Sequence, residues 1–263
     1  MKNKIKNSLL ASILVTLAAL PASANFSGGD DFNDNSKDVV KWGPDSLSGS
    51  AALNETNQRL QFTTASASAF ADASRPWVAN TGSFTADWGL QVDVNLPALG
   101  LTTGQLCEVG MVVSNGADQN DTMEVGLTLS RPAAVITRTF GSLFSVNGVA
   151  APETTVTTTS VSGAIRVRYV AASTTLFAEY DADGAANGYS WTFLDSEQVA
   201  PWNMNASSAF QVSLAGFTNG NLIVTGGQNV FMDNFLSVPE PGSVSLACLG
   251  TLGLLARRQR CKK

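Results

Sequence analysis

The sequence contains no histidine. This absence excludes Ser-His-Asp and Cys-His nucleophilic catalysis, and it removes the imidazole ligands on which most catalytic zinc and copper sites depend. An enzyme built from this chain would have to use carboxylates, tyrosine, lysine or arginine. The absence of histidine therefore limits the catalytic mechanisms that this chain could use.

Cysteine is nearly as scarce, with three residues in 263. Cys248 and Cys261 lie in the last 26 residues, so Cys107 stands alone in the central region and an intrachain disulfide there is excluded. Cys107 alternates with Val109 and Met111, a pattern that predicts a buried thiol in a hydrophobic core. The alternative is a surface thiol that serves lipid attachment or an intermolecular link.

Positive charge is scarce between the two ends of the chain. Eight of the 16 lysines and arginines lie in the first 24 or last 26 residues, which leaves eight basic against 20 acidic residues at positions 25–237, a net charge of −12. Such a body repels phosphate backbones and anionic headgroups, so we expect no nucleic-acid partner. Phosphate-binding glycine loops and cysteine clusters are also missing, and no cofactor is firmly indicated.

The N-terminus has the parts of a secretory signal peptide. Three lysines precede the apolar run Leu9–Leu20, and Ala22 and Ala24 are the small residues that signal peptidase prefers before its cut. We predict a signal peptide over residues 1–24, with Asn25 as the first residue of the mature protein. A retained N-terminal anchor is the alternative, and Pro21 together with the small-residue site argues against it.

The C-terminus, residues 238–263, contains a proline-flanked glutamate, an uncharged stretch and a basic end. The first part is Val238, Pro239, Glu240 and Pro241, and the apolar run Val244–Ala256 has 13 residues. This length predicts a short apolar helix that falls below the ~20 residues needed to span a typical hydrocarbon core. A simple retained anchor is the alternative to a segment that serves only for processing.

This order of parts resembles the PEP-CTERM signal of Gram-negative bacteria. The resemblance implies that an exosortase cuts near Pro-Glu-Pro and releases or attaches the protein at the cell exterior. The implied route crosses the inner membrane, with transient contact there, and ends at the cell surface, the outer membrane or the extracellular matrix. Signal peptidase and exosortase are the implied processing partners, and extracellular polysaccharide is a candidate binding partner.

The sequence pattern of residues 25–237 predicts a single all-β domain. Apolar and polar residues alternate in several segments, including 90–96, 123–129, 165–169 and 210–214. Turn-forming residues separate such segments at 114–121, 147–148 and 219–221. No segment keeps a helical period over 11 residues, and no repeat of 20 to 50 residues is present. Two antiparallel sheets packed face to face are the favoured arrangement.

Several local patterns, taken in order, resemble the concanavalin A-like, laminin G-type jelly rolls. They are the acidic segment 30–34 with Trp42, the segments 165–169 and 175–180, the turn at 183–184 with Trp191 after it, and the closing segment 230–235. The resemblance covers most of the body. It implies a jelly-roll sandwich whose first and last strands lie side by side.

That pairing would also bring together a set of oxygen-bearing side chains. These are Asp30, Asp31, Asp34, Asp233 and Asn234. Carboxylate and amide oxygens are the ligands that calcium prefers, so the resemblance makes a structural calcium site plausible. The alternative is that these residues form the bends of a surface loop and a solvated edge strand.

A catalytic motif is incomplete. Glycan-cleaving members of the concanavalin A-like group carry Glu-x-Asp-x-x-Glu on one strand, and the chain has Glu179 and Asp181 but Gly184 at the position of the second glutamate. Hydrolysis of this type needs two carboxyl groups, so we expect no catalytic residue and a non-catalytic protein that binds glycan or is structural in the exopolysaccharide layer. The alternative is a glycoside hydrolase or lyase that uses other carboxylates.

Two tryptophans are candidates for glycan stacking. Trp77 and Trp202 each follow a proline in a predicted loop, and an aromatic face can bind a sugar ring. The alternative is packing at the edge of the domain. Arg166 and Arg168, which alternate with apolar residues, are either ligands for acidic sugars or ordinary charged residues on a solvated sheet face.

Overall fold

The computed structural model describes residues 25–238, which form two antiparallel β-sheets. The strands are β1 (Gly29–Asp30), β2 (Ser46–Ser48), β3 (Ala51–Glu55), β4 (Leu60–Thr64), β5 (Phe70–Pro76), β6 (Gly82–Ser83), β7 (Trp88–Asn95), β8 (Leu106–Asn115), β9 (Asp118–Ser130), β10 (Thr137–Val146), β11 (Val149–Ala150), β12 (Thr154–Thr157), β13 (Ser162–Val170), β14 (Thr175–Asp181), β15 (Thr192–Gln198), β16 (Ala209–Asn219) and β17 (Phe231–Val238). Short 3-10 helices lie at Gly184–Asn187, Ala200–Trp202 and Gly226–Gln228. Within this described part, no helix has the length and apolar character needed to cross a membrane.

The two sheets stack as a sandwich. The back sheet has eight strands in the order β15-β14-β13-β7-β17-β4-β3, with β1 paired to β17. The front sheet has nine strands in the order β11-β10-β9-β8-β16-β5-β2, with β12 on β10 and β6 on β16. Gly29 of β1 lies opposite Leu236 of β17. The predicted all-β sandwich with adjacent ends is therefore confirmed.

The hydrophobic core lies between the sheets, where the apolar positions of the alternating segments meet. Trp88 and Tyr169 of the back sheet pack on Phe210 of the front sheet, with ring centroids 5.1 and 4.7 Å from that of Phe210. Cys107 is completely buried in the same core, as its alternation predicted. Burial raises the pKa of the Cys107 thiol far above its usual range, so the thiol stays protonated.

An aromatic cluster joins the first residues of the domain to the last strand. The Trp42 ring centroid lies 5.8 Å from that of Phe32, 4.9 Å from that of Trp77 and 5.3 Å from that of Phe235. Asp30 Oδ2 accepts a hydrogen bond from Trp42 Nε1 at 2.7 Å. The N-terminal residues of the jelly-roll resemblance therefore close the sandwich where its two ends meet.

The turn predicted at residues 114–121 is shorter in the structure. Strand β8 continues to Asn115 and β9 begins at Asp118, so only Gly116 and Ala117 separate them. Polar residues at the end of a hairpin can stay in the ladder, and here Asn115 Nδ2 donates to Asp121 Oδ2 at 3.2 Å. The predicted turn at Asn147 is confirmed, with a positive φ of 51° that suits asparagine.

Candidate functional site

A groove of about 560 Å³ crosses the outer face of the front sheet. Strand registers place small residues in one row along it. From one side to the other the row is Ser46, Ser74, Ala215 and Gly110, and it continues through Gly126 and Gly141. The row crosses six strands and is about 24 Å long, because adjacent strands lie ~4.8 Å apart. The groove itself lies over Ser46, Ser74, Ala215 and Gly110, whose small side chains leave an open floor across four of these strands.

The glycines of this row have no room for a Cβ atom, at Gly110 because of the neighbouring backbone and at Gly126 and Gly141 because of glutamate side chains. A Cβ on Gly110 would meet the backbone of Val125 and Gly126 on the neighbouring strand. A Cβ on Gly126 would lie 2.6 Å from Glu108 Oε1, and one on Gly141 would meet the Glu153 carboxylate. Two acidic side chains therefore lie over the floor in the space that the glycines leave.

Four carboxylates line or overhang this groove. They are Asp72 on β5, Glu108 on β8, Glu124 on β9 and Glu153 after β11. Phe217 lies between Asp72 and Glu108 in the strand register and packs on the exposed Phe70, with ring centroids 4.7 Å apart. Among residues 25–238, no lysine or arginine lines the groove. The acidic groups have no basic counterpart on its walls.

Burial perturbs the protonation of these carboxylates. Burial and, to a smaller extent, the negative charges of Glu124 and Glu153 together raise the pKa of Glu108 to about 7. Burial also raises the pKa of Glu124, with contributions from Asp72 and Glu153, and burial raises the pKa of Asp72. Near neutral pH both the protonated and the ionised forms of the Glu108 carboxyl group are therefore populated.

The outer face of the back sheet has a different arrangement. Nε of Arg166 and Nε of Arg168 donate to Glu179 Oε2 at 2.7 and 3.0 Å. The Arg166 guanidinium also lies 4.5 Å from the ring centroid of Trp191, which stacks on Tyr189 at 5.2 Å. The two arginines are thus engaged in an ion-pair and aromatic cluster, and the Glu179 carboxylate is occupied by them.

The structure corrects the prediction that Trp77 and Trp202 form a glycan-stacking platform. Their side chains are only 4% and 2% exposed. Trp77 packs on Trp42, and Trp202 stacks on Phe144 with ring centroids 5.2 Å apart while its Nε1 donates to the Ser145 carbonyl at 3.2 Å. Neither ring offers a face to a sugar, because both are part of the core.

The predicted calcium ligands hold local turns. Side-chain oxygens of Asp31, Asp34 and Asp233 accept backbone hydrogen bonds from Asn33, Ser36 and Asn234. Across residues 25–238, no three or more carboxylate, cysteine or histidine side chains are grouped to hold a metal ion. The geometry gives no support to calcium at Asp30, Asp31, Asp34, Asp233 and Asn234, and that site stays a prediction.

The two processing sites lie at the limits of the described residues. Asn25 is anchored to the domain, because its Nδ2 donates to the Asp87 carbonyl at 2.7 Å. Val238 ends β17, one residue beyond the predicted domain boundary. Ala22 and Ala24 of the predicted signal-peptidase site, and Pro239, Glu240 and Pro241 of the sorting motif, lie outside the described residues.

Residues 237–260 match the PEP-CTERM protein-sorting motif. The chain carries a PEP-CTERM sorting signal. The signal identifies an exported protein that is sorted to the cell surface and processed by an exosortase. No curated protein matches the chain.

Solved structures share the fold of residues 25–238. The carbohydrate recognition domain of Emp46p in a potassium-bound form is 8% identical, with 80% of this chain and 95% of that chain covered and a TM-score of 0.50. Lectin II from Ulex europaeus is 12% identical over 75% of this chain and 94% of that chain, with a TM-score of 0.45. Xyloglucan PUL GH43B from Bacteroides ovatus is 11% identical with a TM-score of 0.48, and the match covers 81% of this chain but only 40% of that chain. The likeness shows the concanavalin A-like jelly-roll fold.

The local sequence does not reveal the groove. Glu108 and Glu124 each occupy an ordinary polar position in an alternating strand, and Gly110 and Gly126 follow them two residues later. The repeated Glu-x-Gly spacing was the available signal. It could not be interpreted without the register, which places Gly110 opposite Gly126 and so makes the two motifs neighbours.

Proposed function

We propose that the mature protein binds a glycan chain in the groove of the front sheet and does not cleave it. The observation that supports this function is the floor of small residues at Ser46, Ser74, Ala215 and Gly110, which is open across four strands over about 14 Å and is bordered by carboxylates. Carboxylates accept hydrogen bonds from sugar hydroxyls. Phe217 adds an apolar ring surface for the non-polar face of a sugar.

The charge of the groove selects among glycans. Asp72, Glu108, Glu124 and Glu153 repel a polymer of uronic acids, because no lysine or arginine of the described chain lines the groove to offset them. Neutral polysaccharides and amino sugars are the classes that remain. The PEP-CTERM signal supports export and sorting to the cell surface, and we propose that glycan binding retains the protein in the exopolysaccharide layer or at the outer membrane of a Gram-negative bacterium.

The test compares a blocked groove with a matched control. Ser74→Tyr places a ring on the groove floor, and Thr157→Tyr places the same ring on the outer face of β12, away from the floor. The exported protein and both variants are purified from the native host and titrated calorimetrically with neutral hexasaccharides of glucose, xylose and mannose. We expect at least one neutral hexasaccharide to bind the wild type and Thr157→Tyr equally, with affinity for Ser74→Tyr at least tenfold lower. Equal binding by Ser74→Tyr, or no binding by the wild type, would contradict the proposal.

A second candidate function is glycoside hydrolysis in the same groove. The pKa of Glu108, raised to about 7 by burial and by neighbouring carboxylates, suits a general acid, and Glu124 would act as nucleophile or base. Release of reducing sugar from neutral polysaccharides between pH 5 and 8, lost in Glu108→Gln, supports this candidate. Retained binding without any release supports the non-catalytic function.

A further inference from the structure

A second cavity of about 660 Å³ opens on the opposite face of the sandwich, where β17 passes between β1 and β7. Gly29, Asp31, Gln91, Tyr189 and Asn234 are among the residues that line it. The cavity belongs to the back sheet. A ligand bound there does not compete with a ligand bound in the groove of the front sheet.

Asn234 lines this cavity in an unusual backbone conformation. The register of β17 against β7 shifts between Asp233 and Leu236, and Asn234 has a φ of 51°. A β-bulge re-aims a side chain, and a left-handed non-glycine residue persists only where the surroundings hold it. Here Asn234 Nδ2 donates to Asp93 Oδ2 at 2.9 Å. The bulge therefore sets the amide over β7, at the wall of the cavity.

Asp93 also fixes the aromatic wall. Tyr189 Oη donates to Asp93 Oδ1 at 3.1 Å, and the Tyr189 ring stacks on Trp191. The Asp93 carboxylate thus holds two of the lining side chains, Tyr189 and Asn234, in place. Such ordering before a ligand arrives lowers the entropy that binding must overcome.

The lining groups match the hydrogen-bonding needs of a neutral sugar ring. Gln91 is only 5% exposed and its amide is engaged with the Tyr189 hydroxyl, so it presents its remaining amide capacity, and Asp31 supplies a carboxylate. Lys41 also lines the cavity, but its ammonium faces Asp30 and Asp38 at 3.9 and 3.8 Å, so it is paired with carboxylates of its own segment. A few converging polar groups beside an aromatic ring are typical of small-ligand sites.

We infer that this cavity is a second glycan subsite, which takes a single neutral sugar ring, and that one domain links two glycan chains through its opposite faces. The linking role rests on the proposed function of the groove. The cavity as a binding site does not, because its residues lie on the other sheet.

The test uses Asn234→Gly, which keeps a residue that adopts positive φ and removes only the amide. Tyr189→Ala is the second variant, and Phe193→Ala, an exposed ring on β15 outside the cavity, is the control. Each variant is made alone and combined with Ser74→Tyr in the full-length gene, and the exported proteins are purified from the host. Calorimetry measures the affinity of each protein for the neutral hexasaccharide that binds the wild type. The same hexasaccharide is also attached to beads, and aggregation of the beads shows that one protein links two glycan chains. The oligomeric state of each protein is verified first.

We expect Ser74→Tyr to retain weak binding that Asn234→Gly or Tyr189→Ala abolishes and Phe193→Ala leaves unchanged. Wild-type protein should aggregate the beads, whereas either single-site variant should coat them without aggregation. Loss of all binding in Ser74→Tyr alone would overturn the second subsite and leave the proposed function intact. Binding that Asn234→Gly removes and Ser74→Tyr does not affect would refute the groove and retain the cavity.

Discussion

The front and back sheets share one core but present different electrostatic surfaces. In the front groove, Glu108 and Glu124 have no lysine or arginine beside them on the walls formed by the described residues, and burial raises the pKa of both. On the back sheet, Glu179 binds Arg166 and Arg168 directly. Removing one partner of a buried ion pair is costly, whereas carboxylates with perturbed pKa values and no partner cluster at functional sites. The comparison therefore distinguishes the paired charges of the Arg166, Arg168 and Glu179 cluster from the unpaired carboxylates of the front groove.

The largest expected effect concerns the floor of the groove. Gly110→Ala should lower the free energy of unfolding by roughly 3 kcal/mol, because its Cβ meets the backbone of β9. Gly126→Ala should cost less than about 1 kcal/mol, because its Cβ meets mainly the flexible end of Glu108. Urea denaturation of the two variants measures the difference. Equal losses would mean that the floor is not set by close approach of β8 and β9.

The next effect tests the unpaired charge of the front groove. The pKa of Glu108 is raised to about 7 in the folded protein, from 4.5, so the stability present below about pH 4.5 is lost as the pH rises towards 7. This rise sets an upper limit of about 3 kcal/mol. Thermal melting between pH 5 and 8 should show a falling free energy of unfolding that Glu108→Gln largely removes. Ser213→Ala, which changes an uncharged residue in the same groove, should keep the wild-type dependence of the free energy of unfolding on pH. If Glu108→Gln keeps that dependence as well, the unpaired charge of Glu108 does not distinguish the front groove from the back sheet.

The smallest effect concerns the paired charges of the back sheet. Glu179→Gln leaves two guanidiniums without their carboxylate and should cost about 1 to 2 kcal/mol at neutral pH. The side chains of this triplet are only 11% to 22% exposed, so the loss should depend weakly on salt. Urea denaturation of the wild type and the variant at low and high ionic strength measures both the loss of stability and its dependence on salt. If the variant is as stable as the wild type, the ion pairs of Glu179 with Arg166 and Arg168 contribute little to the free energy of unfolding.

The sequence predicted the features that depend on local pattern. Alternation from Leu90 to Leu96 identified β7 within two residues, because a period of two is set by neighbours along one strand. The same alternation placed Cys107 in the core, and the Asn147-Gly148 pair predicted a turn. It was wrong at Trp77 and Trp202, where a preceding proline indicated an exposed loop and tertiary packing buried the rings.

By itself, the sequence determined the destination of the protein, its strands and the excess of acid in its body, because sorting signals, alternation and charge are read along the chain. Only the tertiary structure decided which acidic side chains lie close together in the groove. Gly110, Gly126 and Gly141 form one row because three strands pair in a single register, and a shift of one residue would turn Glu108 into the core. Register depends on contacts between residues far apart in the chain, so neither the groove nor the cavity opposite it could be read from local sequence.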